Sequence, residues 1–383
     1  MAKSKRRGSR EGSIFQRKDG RWCGQIDLGW QNGKRGRKLI YGKTQGAVRE
    51  LLTKALHDHD RGMLSADNPT VQRFLEDWLA SVKTSLRVRS YERYEGIVRK
   101  HLVPTLGRLR LDRLTPAHVQ ALLDAKLASG LAPRTVQGCR IVLVAALKQG
   151  VQRQVVSRNV ASFVPGPKVR NAEMQVFNPE QARQFLATSQ GEPLHALYLL
   201  ALHTGLRRGE LLALKWEDLD LDAGTLSVHR ALGRSMTQGI VIAEPKTPQG
   251  RRTVRLAAPV VSVLRVHRKR QLEHRLMAGQ EWHEQGYLST TSRGAAIDPN
   301  ALGRDFRRVC ALAGLPAIRF HDLRHSAATI ALSQGVHPKI VSEMLGHSRI
   351  SLTLDVYSHS LPTLQVEAAD KIAAALGGET RAK

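Results

Sequence analysis

Cysteine is scarce in this chain. Only Cys23, Cys139 and Cys310 occur among 383 residues. An odd number so widely spaced makes neither a disulfide framework nor a zinc-ligand pattern, and all three read as small buried or half-buried side chains. Long apolar runs are missing as well. The basic opening, Met1 to Arg10, has no hydrophobic stretch behind it, which predicts neither a secretion signal nor a membrane span and places the protein in the cytoplasm. There is no glycine-rich phosphate loop, so no nucleotide cofactor is expected, and neither internal repeats nor low-complexity tracts are found. The deficit with the largest consequence is in acid. Thirty-three Asp and Glu stand against 60 Lys and Arg, a net charge of +27. Such a surplus repels itself unless a polyanion is near, and nucleic acid, whose phosphates shed counterions when cations replace them, is the expected partner ahead of an anionic membrane.

What is present supports real cores: 42% hydrophobic and 24% charged residues are ordinary for a globular protein, and the length suits two or three domains. The charge is uneven, about +10 over residues 1–62, about +12 over 68–170 and about +6 over the rest. In the first segment, residues 12–15, 22–28 and 37–41 read as three strands joined by Lys18-Asp19-Gly20 and Gln31-Asn32-Gly33-Lys34 turns, followed by a helix over about 44–61. Such a sheet can lay a basic face in a DNA groove, or pack on the rest of the protein. After a polar linker at 63–69, apolar residues recur at helical spacing: Val71, Phe74, Leu75, Trp78 and Leu79, then Val119, Leu122, Leu123 and Leu127, then Val136, Ile141, Val144, Ala145 and Leu147. Breaks at Pro104, Gly107, Pro116 and Pro133 predict about four helices over 70–164. A second linker, 165–174, precedes the largest segment, 175–383, which opens on a helix start at Asn178-Pro179-Glu180-Gln181. The fold class expected is multidomain α+β: a three-stranded sheet plus helix, a four-helix-type domain, and a mostly α domain with a small antiparallel sheet.

The last segment carries the chemistry. Thr204-Gly205-Leu206-Arg207-Arg208-Gly209-Glu210 breaks one helix and starts another, so Arg207 can face a phosphate. Residues 239–256 read as two strands around a Pro/Gly turn that carries Lys246. Arg319-Phe320-His321-Asp322-Leu323-Arg324-His325 begins a helix, and the spacing of three places His321 and Arg324 on one face. Met344-Leu345-Gly346-His347-Ser348 follows, and ten residues beyond His347 lies Tyr357. Each of these residues alone has an ordinary structural reading, and a lone Tyr is usually a packing side chain.

Taken in order, Arg207, Lys246, His321, Arg324, His347 and Tyr357 resemble the active-site signature of the tyrosine recombinase (phage integrase) family, over about residues 175–360. Less specifically, 70–164 resembles the family's core-site DNA-binding domain and 1–62 its N-terminal arm-site DNA-binding domain. The resemblance implies that Tyr357 attacks a DNA phosphate to form a covalent 3′-phosphotyrosyl link, with no metal and no cofactor. Arg207 and Arg324 would hold the phosphate by planar bidentate donation, Lys246 would protonate the leaving 5′ oxygen, His321 would accept the tyrosine proton, and His347 would add a hydrogen bond. Glu210 matches the family's acidic position and would orient its neighbours.

Further implied partners are double-stranded DNA at core and arm sites, a tetramer of this chain in synapsis, a host DNA-bending protein and a directionality factor, all at the nucleoid. Arg208 competes with Arg207 for its role and His325 with His321. His359 reads as surface, and the histidines lack carboxylate or thiolate partners at metal-ligand spacing. An amphipathic tail from Leu364 to Leu376 has an apolar face that could pack on its own domain or on a neighbouring protomer. Two rival functions remain open at this point, a non-catalytic DNA-binding regulator and a type IB topoisomerase.

Overall fold

A computed structural model of the chain describes residues 12–31, 34–60, 69–169, 174–244 and 250–346, with 369, 370, 372, 373 and 376. The chain divides into two compact units, Met1–Asn171 and Ala172–Lys383.

The first unit opens with an antiparallel meander of β1 (Ser13–Gln16), β2 (Trp22–Gln31) and β3 (Lys34–Gly42), followed by α1 (Gln45–Asp60). The second and third strands run longer than the sequence suggests. Helix α1 covers one sheet face, where a Cβ on Gly24 would stand 3.0 Å from Val48 and where Ile26, Leu52 and Ala55 form a small core. On the other face Phe15, Cys23 and Tyr41 lie side by side across the three strands. Phe15 and Tyr41 are exposed, with Cys23 buried between them, and the Arg17 guanidinium sits 5.7 Å from the Tyr41 ring centroid.

The helical part of this unit comprises α2 (Val71–Val82), α3 (Val88–Ile97), α4 (Val103–Leu106), α5 (Pro116–Ala128) and α6 (Pro133–Gln152). Thr70 caps α2 by accepting from the Arg73 amide, and the stripe Val71, Phe74, Leu75, Trp78 and Leu79 is buried as its spacing predicts. Pro104 is no break. A π-helical turn over Val98–Leu102 leads directly into α4, and the Val103 amide reaches back to the Val98 carbonyl. The wider turn absorbs the proline, which has no N–H to give, and keeps Leu102 and Leu106 in the core. In α6 the buried stripe is Val136, Cys139, Val142, Leu143, Ala146 and Leu147. Ile141, expected on that face, is 44% exposed.

The second unit runs α7 (Pro179–Thr188), α8 (His195–Thr204), α9 (Arg208–Ala213), strands β4 (Leu219–Asp220), β5 (Thr225–Val228), β6 (Ala231–Ser235), β7 (Gly239–Ala243) and β8 (Arg252–Arg255), then α10 (Ala258–Ala278), α11 (Pro299–Leu312), α12 (Asp322–Ser333) and α13 (Pro338–Leu345). Asn178 and Gln181 close the reciprocal cap that starts α7. Phe177, Phe185, Tyr198, Phe306 and Phe320 meet in one aromatic cluster at the centre of the core.

The strands either side of the Lys246 turn are not partners of each other. Strand β7 pairs with β6 in a two-stranded hairpin, whereas β8 pairs with β5 in the sheet β4-β5-β8. The tight turn at Ser235–Gly239 makes β6 the nearest partner for β7 and leaves β8 to the open edge of β5.

Candidate active site

Two glycines and one buried hydroxyl assemble the site. Helix α8 stops at Gly205, whose φ of +59° suits glycine, and a Cβ there would lie 2.4 Å from Leu345 Cδ2, so α13 packs directly on this turn. Gly209 lets α9 press on β6, because its Cβ would meet the Leu232 carbonyl oxygen at 2.6 Å. Ser326 pins α12 to the start of the unit: its hydroxyl donates to the Asp322 carbonyl and accepts from the Phe177 amide at 2.9 Å each.

On this frame Arg207 donates through Nη1 to Glu210 Oε1 (2.8 Å) and through Nη2 to the Gly346 carbonyl (3.2 Å), and its backbone amide donates to Glu210 Oε2 (3.0 Å). Gly346 immediately precedes His347 in the sequence. Arg208 points elsewhere, to the Pro299 carbonyl. Arg324 is 4% exposed, and its Nη1 donates to the Gly205 carbonyl at 2.7 Å, one turn of chain from Arg207. His321 begins α12 and meets His325 edge to face, with ring centroids 5.3 Å apart. Asp322 steadies this start by accepting from the amide and the guanidinium of Arg319.

Electrostatics separate the two ionisable groups at the centre. Burial pushes the Glu210 carboxyl up, but the Arg252 and Arg207 guanidinium groups outweigh it and hold it below the ordinary range, so it stays ionised. The His321 pKa also moves down, which for a base favours the neutral form: burial, then His325, Arg324 and Arg207, against the opposing pull of Asp322, lower it to about 4. His321 is exposed as a residue, and solvent screening moderates the shift while leaving its sign intact. The imidazole is therefore in its neutral form at neutral pH, with a ring nitrogen lone pair available, while the cations beside it weaken it as a base.

A consequence is measurable. The second-order rate constant for DNA cleavage reports ionisations of the free protein and is expected to stay level from about pH 8 to about pH 5.5, falling only below that. A loss centred near 6.5, the ordinary histidine value, would show that His321 titrates normally and would remove this account of its neutrality.

The structure thus brings Arg207, Glu210, His321 and Arg324 together. Lys246, His347 and Tyr357 lie outside the described residues, as do His359 and most of the tail from Leu364 onward. Sequence reasoning missed Arg252, whose Nη2 donates to Glu210 Oε2 at 3.0 Å. Its signal was present in the strand period: Val254 and Leu256 are buried, and residue 252 shares their face, so a cation there needs a partner. Among the described residues no cluster of His, Cys, Asp and Glu gathers as a metal site, and no helix is long and apolar enough to cross a membrane.

Two arginines converging beside a neutral histidine, with a buried carboxylate fixing one of them, form a site able to hold an oxyanion and take up a proton. Comparison with known proteins agrees. Residues 175–363 match the phage integrase family model, and residues 70–127 match the phage integrase N-terminal SAM-like domain. A tyrosine recombinase XerC-like protein of Caldanaerobacter subterraneus is 30% identical, covering 89% of this chain and 93% of its own length. An integrase of Streptomyces ambofaciens is 32% identical over 96% of this chain and 97% of its own. Among solved structures, the Tn1549 transposon integrase in complex with a circular intermediate DNA superposes with a TM-score of 0.66 at 22% identity, covering 80% of this chain and all of that one, a likeness of fold. The chain belongs to the phage integrase family and is a tyrosine-type site-specific DNA recombinase.

Proposed function

We propose that this recombinase integrates and excises a mobile element by cutting and rejoining DNA through Tyr357. The tyrosine oxygen attacks the scissile phosphorus and the bond to the 5′ oxygen breaks. Lys246 supplies a proton to that oxygen, and the tyrosine proton passes to His321. Arg207 and Arg324 hold the non-bridging oxygens as negative charge builds, and His347 adds a hydrogen bond. The phosphodiester bond energy is retained in the phosphotyrosyl link, so rejoining by the reverse steps needs no nucleotide. Glu210 orients Arg207 and does no chemistry itself.

In this reading residues 1–62 grip arm sites and 70–164 grip core sites, with linkers at 63–69 and 165–174 and the catalytic domain over 175–383. The exposed Phe15 and Tyr41, with Arg17 stacked on the latter, support the first assignment, as does the concentration of positive charge in the front half of the chain. Four copies act together at synapsis in the cytoplasm, at the nucleoid, with a host DNA-bending protein and a directionality factor as further partners. The observation that carries the proposal is the convergence of Arg207, Arg324 and a neutral His321 at one corner of the unit.

The test is a core site nicked just beyond the cleavage point, so that the cut fragment diffuses away and the covalent species accumulates. The expected result is a protein–DNA adduct that survives denaturation, forms without metal or ATP, and maps by peptide mass to Tyr357. An intact recombination pair should also give exchanged products. Absence of any adduct would favour a non-catalytic regulator, and relaxation of supercoils without strand exchange would favour a topoisomerase.

A further inference from the structure

Glu210 serves two cations that stand at different depths. Arg207, whose side chain is 41% exposed, donates to Oε1 from Nη1 and to Oε2 from its amide. Arg252, 8% exposed, donates to Oε2 from Nη2 at 3.0 Å. Its Nε donates to the Met344 carbonyl (2.7 Å) and its Nη1 to the Gly250 carbonyl (3.2 Å). Met344 and Gly346 close the same end of α13, and the Gly346 carbonyl accepts from Nη2 of Arg207. Both arginines therefore bridge one carboxylate to one helix end, Arg207 near the surface and Arg252 buried.

We infer that Arg252 is a positioning residue for Arg207, and that it offsets the Glu210 charge so that the charge of Arg207 remains available to the scissile phosphate. A carboxylate with one guanidinium is a neutral pair, which fixes the arginine but leaves it little attraction for an anion. A second guanidinium leaves one positive charge in surplus, and Arg207 is the exposed member able to present it. Burial alone would favour a protonated Glu210, and Arg252 opposes this more strongly than Arg207 does. Without Arg252 the carboxylate either cancels the charge of Arg207 or takes up a proton and weakens its hold on that residue. Stability gives the fold no reason for the second cation, because an apolar cluster of similar volume is often at least as stable as a buried ion cluster.

This assignment rests on the recombinase reading above, and the experiment separates the two. Single-turnover cleavage is measured on two nicked core sites of equal sequence, one with the natural scissile phosphate and one with a methylphosphonate in its place. The methyl group replaces a charged non-bridging oxygen, so the neutral linkage has no charge for Arg207 to hold. Arg252→Gln is expected to cleave the natural site about 100-fold more slowly than wild type, the lower end of the cost of losing an oxyanion donor. On the neutral site it should stay within about threefold of wild type.

Arg252→Lys, which keeps the charge, should show a smaller loss on the natural site and the same recovery on the neutral one, and it stands in should the glutamine variant fail to fold. A second measurement, on the natural site alone, repeats Arg252→Gln in an Arg207→Lys background. Action through Arg207 predicts that the loss shrinks there to under about fivefold, and this comparison decides if wild type leaves the neutral site uncut. Equal losses on both sites, or in both backgrounds, would mark Arg252 as a general structural support and overturn the inference, as would wild-type rates throughout. If wild type forms no adduct on the natural site, the recombinase reading itself fails and the inference falls with it.

Discussion

Arg324→Lys is expected to slow first-strand cleavage by about 10²–10³-fold, the cost of removing one fixed donor from an oxyanion site, while core-site affinity stays within about threefold. The geometry explains the size of the effect. Arg324 is almost wholly buried, and one arm of its fork is committed to the Gly205 carbonyl at 2.7 Å. That bond aims the guanidinium plane and ties it to the turn that presents Arg207. A lysine has one nitrogen at the end of a flexible stem. It can satisfy the buried carbonyl or reach a phosphate, but it does not do both in fixed directions. With a net charge of +27, affinity for a polyanion is expected to draw on many cations, so losing one should change it little. Pre-steady-state cleavage and a binding isotherm on the same DNA give the two numbers. A cleavage loss under tenfold with full occupancy would show that Arg324 serves α12 rather than the phosphate.

The sequence made some of this readable and hid the rest for physical reasons. Signals written within one turn of chain were reliable. The stripe from Val71 to Leu79 buries as spaced, the Asn178–Gln181 cap starts α7, and the Gly205 break delivers Arg207 to the start of α9. The helical stripe of α6 differs from the spacing read in the sequence because apolar residues are so dense from Val136 to Leu147 that several faces fit a 3.6-residue period. Only packing chose the face that leaves Ile141 in solvent. Pro104 predicts a break because a proline removes a donor, and a π turn that spends one extra residue to avoid the loss leaves no local mark. The two strands around Lys246 are present as read, but their pairing is not written locally: the partner of β8 is β5, across an intervening hairpin. Arg252 is the extreme case, since two of its acceptors, Glu210 and Met344, lie 42 and 92 residues away.

Glu210→Ala should lower stability by about 3–5 kcal/mol, the range for breaking a buried ion pair by removing one partner. In a unit of this size that corresponds to roughly 10 °C in melting temperature. Glu210 is 3% exposed and is the common acceptor for Arg207 and Arg252, so its loss strands the buried Arg252 cation and leaves an Arg207 amide without its carboxylate.

The pH dependence follows from the direction of the Glu210 shift. Its pKa in the folded protein lies below the ordinary 4.5, so the folded state releases a proton that the unfolded chain still binds near that pH. The ionic contribution is therefore complete above about pH 5 and is lost as the pH falls through the folded value. Glu210→Gln, which keeps the shape without the charge, should accordingly melt below wild type by a constant margin from about pH 8 to about pH 5, and the margin should narrow in more acid solution. Calorimetric melts at three or four pH values decide the matter. The absence of any margin near neutral pH, or a margin that persists unchanged at about pH 3.5, would mean that Arg207 and Arg252 are held by something other than the charge of this carboxylate.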